Sequence, residues 1–390
     1  MRVASTGMKT LVAGLRSRLQ SKRELEARLA EKNETLQRVR RRAANREREL
    51  TRLREELTQA KAASHSRGFS SGSIPAFFLI GRARSGTTWL RSVLNFHPEI
   101  MCWGEGRFFE RSFERGDFEG LRSKNMPSSS LYRAVLQSRL LRAWIDESVW
   151  ARGKETDEHL VGLTRLAVDY FLTGQLSKTN KRIVGDKTPF VSAEIVEEIS
   201  TIYPEARVIH IIRDGRDVAV SLMHHMWNNA KSEGGVYDLE PEELEKRYAY
   251  RAGTLVPPAD SLFTKERLIR IATDWRAEVG KATEEGPGLL GSNYTEVRYE
   301  DLLERPVEEI RRLIEFLGAA DRSEEVARRC TEKAGFERHT SRKRGQEDSS
   351  SRYRKGVAGD WRNVFTEEDQ RTFMEFAGDL LVELGYEKGD

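Results

Sequence analysis

The chain is poor in cysteine. Cys102 and Cys330 lie far apart in 390 residues. They make neither a disulfide framework nor a close-spaced metal cluster, and both read as thiols. Long apolar runs are missing too. None reaches the roughly 18–20 residues that cross a bilayer, so no membrane span is expected. Met1 to Gly14 is polar and has no apolar core of a secretory signal, which makes a cytoplasmic setting the expectation. A strong excess of one charge is also lacking, with a net charge of +4. That figure hides an asymmetry. Residues 1–63 hold 17 Lys and Arg against 8 Asp and Glu, a balance of +9, which leaves −5 for the rest. The larger part is slightly acidic, so nucleic acid is not an expected partner.

Proline is absent from residues 9–62. There Leu15, Leu29, Leu36, Ala43, Leu50 and Leu57 recur in sevens, broken by Lys22. Companion positions Leu11, Leu25, Val39, Leu53 and Ala60 alternate with Arg18, Lys32 and Arg46. This heptad pattern predicts a long N-terminal helix over 1–63 that pairs as a coiled coil, most simply as a homodimer through 9–62. A solitary charged helix and a basic nucleic-acid arm are the alternatives, since Arg40-Arg41-Arg42 weakens pairing. Residues 64–74, including Ser70-Ser71-Gly72-Ser73, read as a flexible linker.

From residue 75 to 390 strand-like and helix-like segments alternate. Strands are expected at Phe77–Ile80, Arg182–Val184, Val208–Ile212 and Glu296–Tyr299. Helices are expected at Thr88–Asn95, Val161–Thr173, Ser192–Thr201, Val218–Met226, Leu268–Glu284, Pro306–Leu317 and Thr366–Leu384. Alternation of this kind predicts an α/β domain: three layers, P-loop-like, around a mainly parallel sheet. The polar stretch Ser341 to Arg354 reads as a loop.

Three segments carry chemistry. In the first, the apolar run Phe77–Ile80 leads into Gly81-Arg82-Ala83-Arg84-Ser85-Gly86-Thr87-Thr88-Trp89, which opens an amphipathic helix. Strand, glycine loop and helix N-terminus together make an anion site. The spacing Gly81-x4-Gly86-Thr87-Thr88 is that of a nucleoside-triphosphate P-loop, but Thr87 stands where the phosphate-reading lysine belongs. Arg84 brings a positive charge earlier in the loop. In the second, the run Val208–Ile212 ends in Arg213, and a turn and helix bring back Ser221. Arg213 and Ser221 could grip a second phosphate beyond the strand ends. The plain alternative is a strand–turn–helix in which Arg213 pairs with Asp217. In the third, Arg354-Lys355-Gly356 and Gly359-Asp360-Trp361 suit a clamp over a phosphate or, equally, a solvated basic loop.

In this order the segments resemble those of sulfotransferases that use 3′-phosphoadenosine 5′-phosphosulfate (PAPS). Arg84-Ser85-Gly86-Thr87-Thr88-Trp89 is similar to their 5′-phosphosulfate loop. Arg213 and Ser221 match the pair on the 3′-phosphate, and Arg354-Lys355-Gly356 the cap over it. Tyr299-Glu300-Asp301-Leu302 matches a segment whose tyrosine lies near the nucleotide. The likeness covers about 75–390. It implies PAPS as co-substrate, no metal, and a hydroxyl acceptor, with an amine as second choice. It puts Arg84 at the 5′-phosphate and Trp89 against adenine, unless Trp89 is core packing.

Leu94 to Arg107 resembles a stretch of tyrosylprotein sulfotransferases, and on that likeness Glu105 takes the acceptor proton. A carboxylate beside cations is charged at neutral pH, as a base must be. The alternatives are an exposed loop carboxylate at Glu105 and a histidine base, His224 or His225. Asp186-Lys187-Thr188-Pro189-Phe190 resembles an Asn-Lys-Asp-Pro-Phe segment, which implies Lys187 at the bridging oxygen; Asp186 and Thr188 depart from it. A P-loop kinase and a non-catalytic coiled-coil scaffold with a nucleotide-binding head are the rival readings.

Overall fold

The structure, a computed structural model, describes residues 74–109, 130–188 and 193–388 apart from 236 and 352. Nearer the N-terminus it describes Lys32, Gln37, Arg38, Arg46, Glu49 and Arg52, all helical and exposed. The chain divides into two units, 1–70 and 71–390. The heptad seam as a whole and the linker lie outside the described residues.

The second unit runs β1 (Ala76–Ile80), α1 (Thr87–Asn95), β2 (Ile100–Gly104), α2 (Leu131–Leu136), α3 (Arg139–Glu147), α4 (Thr156–Leu176), β3 (Ile183–Thr188), α5 (Ala193–Ile202) and β4 (Arg207–Ile212). It continues with α6 (Gly215–Asn228), α7 (Pro241–Ala252), α8 (Lys265–Leu290), β5 (Tyr294–Arg298), α9 (Tyr299–Glu304), α10 (Pro306–Phe316), α11 (Glu324–Lys333), α12 (Phe336–Thr340) and α13 (Glu367–Glu383). The strands form one sheet in the order β2-β3-β1-β4-β5, and every pairing is parallel.

Parallel strands must be buried on both faces, and β1 shows it, with all five residues buried. Phe77 and Leu79 point to a core shared with Leu90 and Val93 of α1 and Ile310 and Ile314 of α10. Phe78 and Ile80 point the other way, to Val168 of α4 and Ile195 and Ile199 of α5. This is the three-layer architecture expected. A third core joins α6, α8 and α13 around Trp275 and Phe373.

The sequence reading missed β2. It opens with the apolar run Ile100-Met101-Cys102-Trp103 and follows α1 after a four-residue turn, but its outer end, Trp103-Gly104, is not buried. Strand β3 runs on to Thr188 because Gly185, Asp186, Lys187 and Thr188 are buried there despite their polarity. Helix α8 passes the expected stop at Glu284 and contains Pro287 in its last turn, where proline removes the N–H that would bond to the carbonyl four residues earlier.

Candidate active site

Strand β1 sits where the chain order reverses, with β3 on one side and β4 on the other. That switch point is where α/β sheets place ligands, beyond the carboxyl ends of the strands. Gly81 leaves β1 so close to β4 that a Cβ would lie 2.7 Å from the Ile211 carbonyl oxygen. Gly86 adopts φ +98 and faces the Tyr299 ring at 2.6 Å from a notional Cβ, so glycine is required on both counts. Arg84, not a glycine, also takes positive φ, +78. Helix α1 has no side-chain cap and no acidic residue in its first turn, which leaves its positive end open to an anion. Ser85 is fully buried, and its hydroxyl has no partner among the described residues. A glycine cradle, an orphaned hydroxyl and an uncapped helix N-terminus fit a phosphate-like group.

The second candidate phosphate site converges on this loop. Arg84 Nε donates to Ser221 Oγ at 3.1 Å. Arg213 donates to the carbonyls of Arg84 and Val357, each at 3.1 Å. Its guanidinium lies 4.4 Å from the Tyr299 ring centroid. Arg213 also stands 3.6 Å from Asp217, so the pairing offered as an alternative is present beside the shared site. Helix α8 braces both halves. Arg82 is paired with Glu278 and Asp274, and Trp275 Nε1 donates to the Arg213 carbonyl at 3.2 Å. Trp89 is buried; its indole N–H donates to Ala334 O at 2.9 Å and its ring meets Tyr299 edge-on, which favours packing.

The C-terminal segment is fastened to α6 by a contact no motif revealed. Asp217 accepts from the backbone N–H of Gly359 and Trp361 at 2.6 and 3.0 Å. Gly356 needs φ +67, and a Cβ there would meet the Phe336 ring at 2.5 Å. Arg354 and Lys355 stand in this segment, each paired with both Glu347 and Asp360.

The candidate base lies across β1. Gly104 of β2 is in register with Lys187 of β3. With no side chain at Gly104, the buried Lys187 chain passes over it; a Cβ would be 2.8 Å from Lys187 Cε. Lys187 Nζ reaches Glu105 Oε1 at 2.5 Å, while Glu105 N donates to Lys187 O at 2.8 Å. Glu105 turns away from the strand with φ +66. Asp186 secures that turn by accepting from Gly106 N at 3.0 Å and Thr188 Oγ1 at 3.1 Å. Burial pushes the Asp186 carboxyl up to about 6. His224 is packed between Trp227 and Tyr250. Burial, with Arg354 adding to it, drives its imidazole down to about 4. His97 closes α1 through Asp321 O and Glu99 N. Pro189 and Phe190 lie outside the described residues.

Each of the five strands thus delivers a candidate at or just past its carboxyl end: Arg84, Glu105, Lys187, Arg213 and Tyr299. An anion loop without the triphosphate lysine, a second candidate cation site and a paired carboxylate thus gather at one edge of a P-loop-like α/β fold. The chain belongs to the sulfotransferase family, whose model matches residues 75–323. It is 30% identical to the nodulation protein NoeE of Sinorhizobium fredii, over 80% of this chain and 66% of that protein. A Caenorhabditis briggsae protein named as a protein-tyrosine sulfotransferase is 24% identical over 62% of this chain and 64% of its own. The chain therefore spans just under two thirds of these relatives. Among solved structures, mouse sulfotransferase SULT7A1 complexed with PAP aligns at 17% identity and TM-score 0.44, covering 84% of this chain and 89% of that one. Among the described residues no helix is long and apolar enough to cross a membrane.

Proposed function

We propose that this protein moves the sulfuryl group of PAPS to a hydroxyl of its acceptor. The observation that carries the reading is the Glu105–Lys187 pair, 2.5 Å apart on neighbouring strand ends beside a lysine-free anion loop. Family membership favours this reading over the kinase and scaffold alternatives. Arg84, Ser85, Gly86, Thr87 and Thr88 would hold the 5′-phosphosulfate. Arg213 and Ser221 would hold the 3′-phosphate under Arg354, Lys355 and Gly356, with Tyr299 at the nucleotide. Glu105 would take the acceptor proton as the acceptor oxygen bonds to sulfur. The bond from sulfur to the 5′-phosphate oxygen breaks in the same step, and Lys187 would offset the charge left on that oxygen. Positioning and fixed charge carry such a transfer, and no covalent enzyme intermediate is needed.

In this reading 75–390 is the catalytic domain, 64–74 a linker and 1–63 a coiled coil that dimerises through 9–62. Two unpaired, buried cysteines suit a cytoplasmic setting. The test is incubation with labelled PAPS and a cell extract, followed by identification of the sulfated product. Glu105→Gln should lower turnover on that acceptor by roughly 10²–10⁴-fold, the range for a general base, and leave 3′,5′-ADP affinity unchanged. Near-parent turnover would remove Glu105 as the base.

A further inference from the structure

The connection from α6 to α7 carries Tyr237, which no motif singles out. Its backbone is held at both ends: Tyr237 N donates to Asn229 O at 2.9 Å, and Lys231 N donates to Tyr237 O at 2.8 Å. Its ring stands edge-on to His225 with centroids 5.5 Å apart. His225 lies one helical turn beyond Ser221, on the same face of α6. Ser221 in turn receives Arg84 Nε. Tyr237 and Arg84 of the anion loop therefore contact successive turns of one face of α6.

The charged groups that act on the phenol are Arg84, Arg82 and Glu105. Two belong to the anion loop and one is the candidate base, so the phenol lies within electrostatic reach of both. Burial holds it above its ordinary pKa against the pull of the two arginines. It is a neutral O–H at physiological pH and acts as a donor. Among the described residues its hydroxyl has no hydrogen-bond partner. The half-buried phenol is therefore free to donate to a bound group.

We propose that Tyr237 recognises the sulfuryl group of the donor: its phenol donates to a sulfuryl oxygen, between Arg84 on the phosphate side and Glu105 on the acceptor side. The assignment rests on the PAPS reading above and makes Tyr237 a donor-selecting residue. PAPS and 3′,5′-ADP differ by that sulfuryl group, so no acceptor is needed to test it.

Calorimetric titration of the full chain with each nucleotide separates the outcomes. Tyr237→Phe keeps the ring on His225 and loses only the hydroxyl. It should weaken PAPS by about tenfold, the size of one hydrogen bond to a charged group, and leave 3′,5′-ADP within about twofold. Arg213→Ala should weaken both nucleotides together and serves as the contrasting control. An equal loss of both in Tyr237→Phe makes the residue a packing element, and no loss of either places the phenol outside the donor site. Each of these results overturns the assignment. A parent chain that binds neither nucleotide refutes the PAPS reading itself.

Discussion

Replacing Asp186 by asparagine should stabilise the protein, and the gain should grow with pH. The carboxyl is 3% exposed and accepts from Gly106 N and Thr188 Oγ1. Burial raises its pKa from 3.8 to about 6 in the folded chain. Across that window the folded state binds the proton more tightly than the unfolded state. The stability tied to it is complete below pH 3.8 and is lost as pH rises through 6. Each pKa unit is worth about 1.4 kcal/mol, so the penalty is about 1.5 kcal/mol at pH 5 and about 3 kcal/mol at pH 8. Asparagine can keep the bond from Gly106 N and does not ionise. Glu198 is also raised, to about 7, by burial. Its contribution has the same sign but is common to both chains and cancels in the comparison. Urea unfolding of parent and Asp186→Asn at pH 5, 6, 7 and 8 measures the difference directly. A gain that is flat with pH, or a loss at pH 8, would make the charge itself structural.

Two further outcomes address the nucleotide and the N-terminus. 3′,5′-ADP should bind far more tightly than 5′-AMP without magnesium, and Arg213→Ala should remove roughly 10–100-fold of that preference, the value of charged hydrogen bonds; equal affinity for the two nucleotides in calorimetry would remove the 3′-phosphate site. The full chain should self-associate through residues 9–62, whereas a chain beginning at Ser73 should bind 3′,5′-ADP as a smaller species; unchanged oligomeric mass in light scattering would discard the heptad seam as the cause.

What could be read from the sequence were features whose cause is local. Phe77–Ile80 and Val208–Ile212 announce buried strands because each is a short apolar run ended by a turn or a charge. Gly81 and Gly86 announce a loop because only glycine allows that backbone. Strand β2 carries a run as long as Phe77–Ile80, Ile100–Trp103, but only its first three residues are buried. The buried polar end of β3 was illegible for another reason: Lys187 is stabilised there by Glu105, 82 residues away in sequence. Asp217, which ties down Gly359 and Trp361 across more than 140 residues, has only an ordinary helix position to show. Tyr237 likewise acquires its place from the packing of its ring on His225. Residues whose meaning lies in a distant partner have no spacing to betray them.

The delivery of one candidate residue by each of five parallel strands has a consequence for how this scaffold can change. In a parallel sheet the chain must cross over between strands, and the crossovers carry the intervening helices and loops. The five candidates are held at or just past the strand ends. A crossover can therefore change away from the strand ends and from α8, which braces Arg213 and Arg82, without displacing any of the five. On the sulfotransferase reading proposed above, grafting one between members of the family should alter what the protein accepts while leaving the five candidates in register, and engineering of acceptor preference should begin in the crossovers.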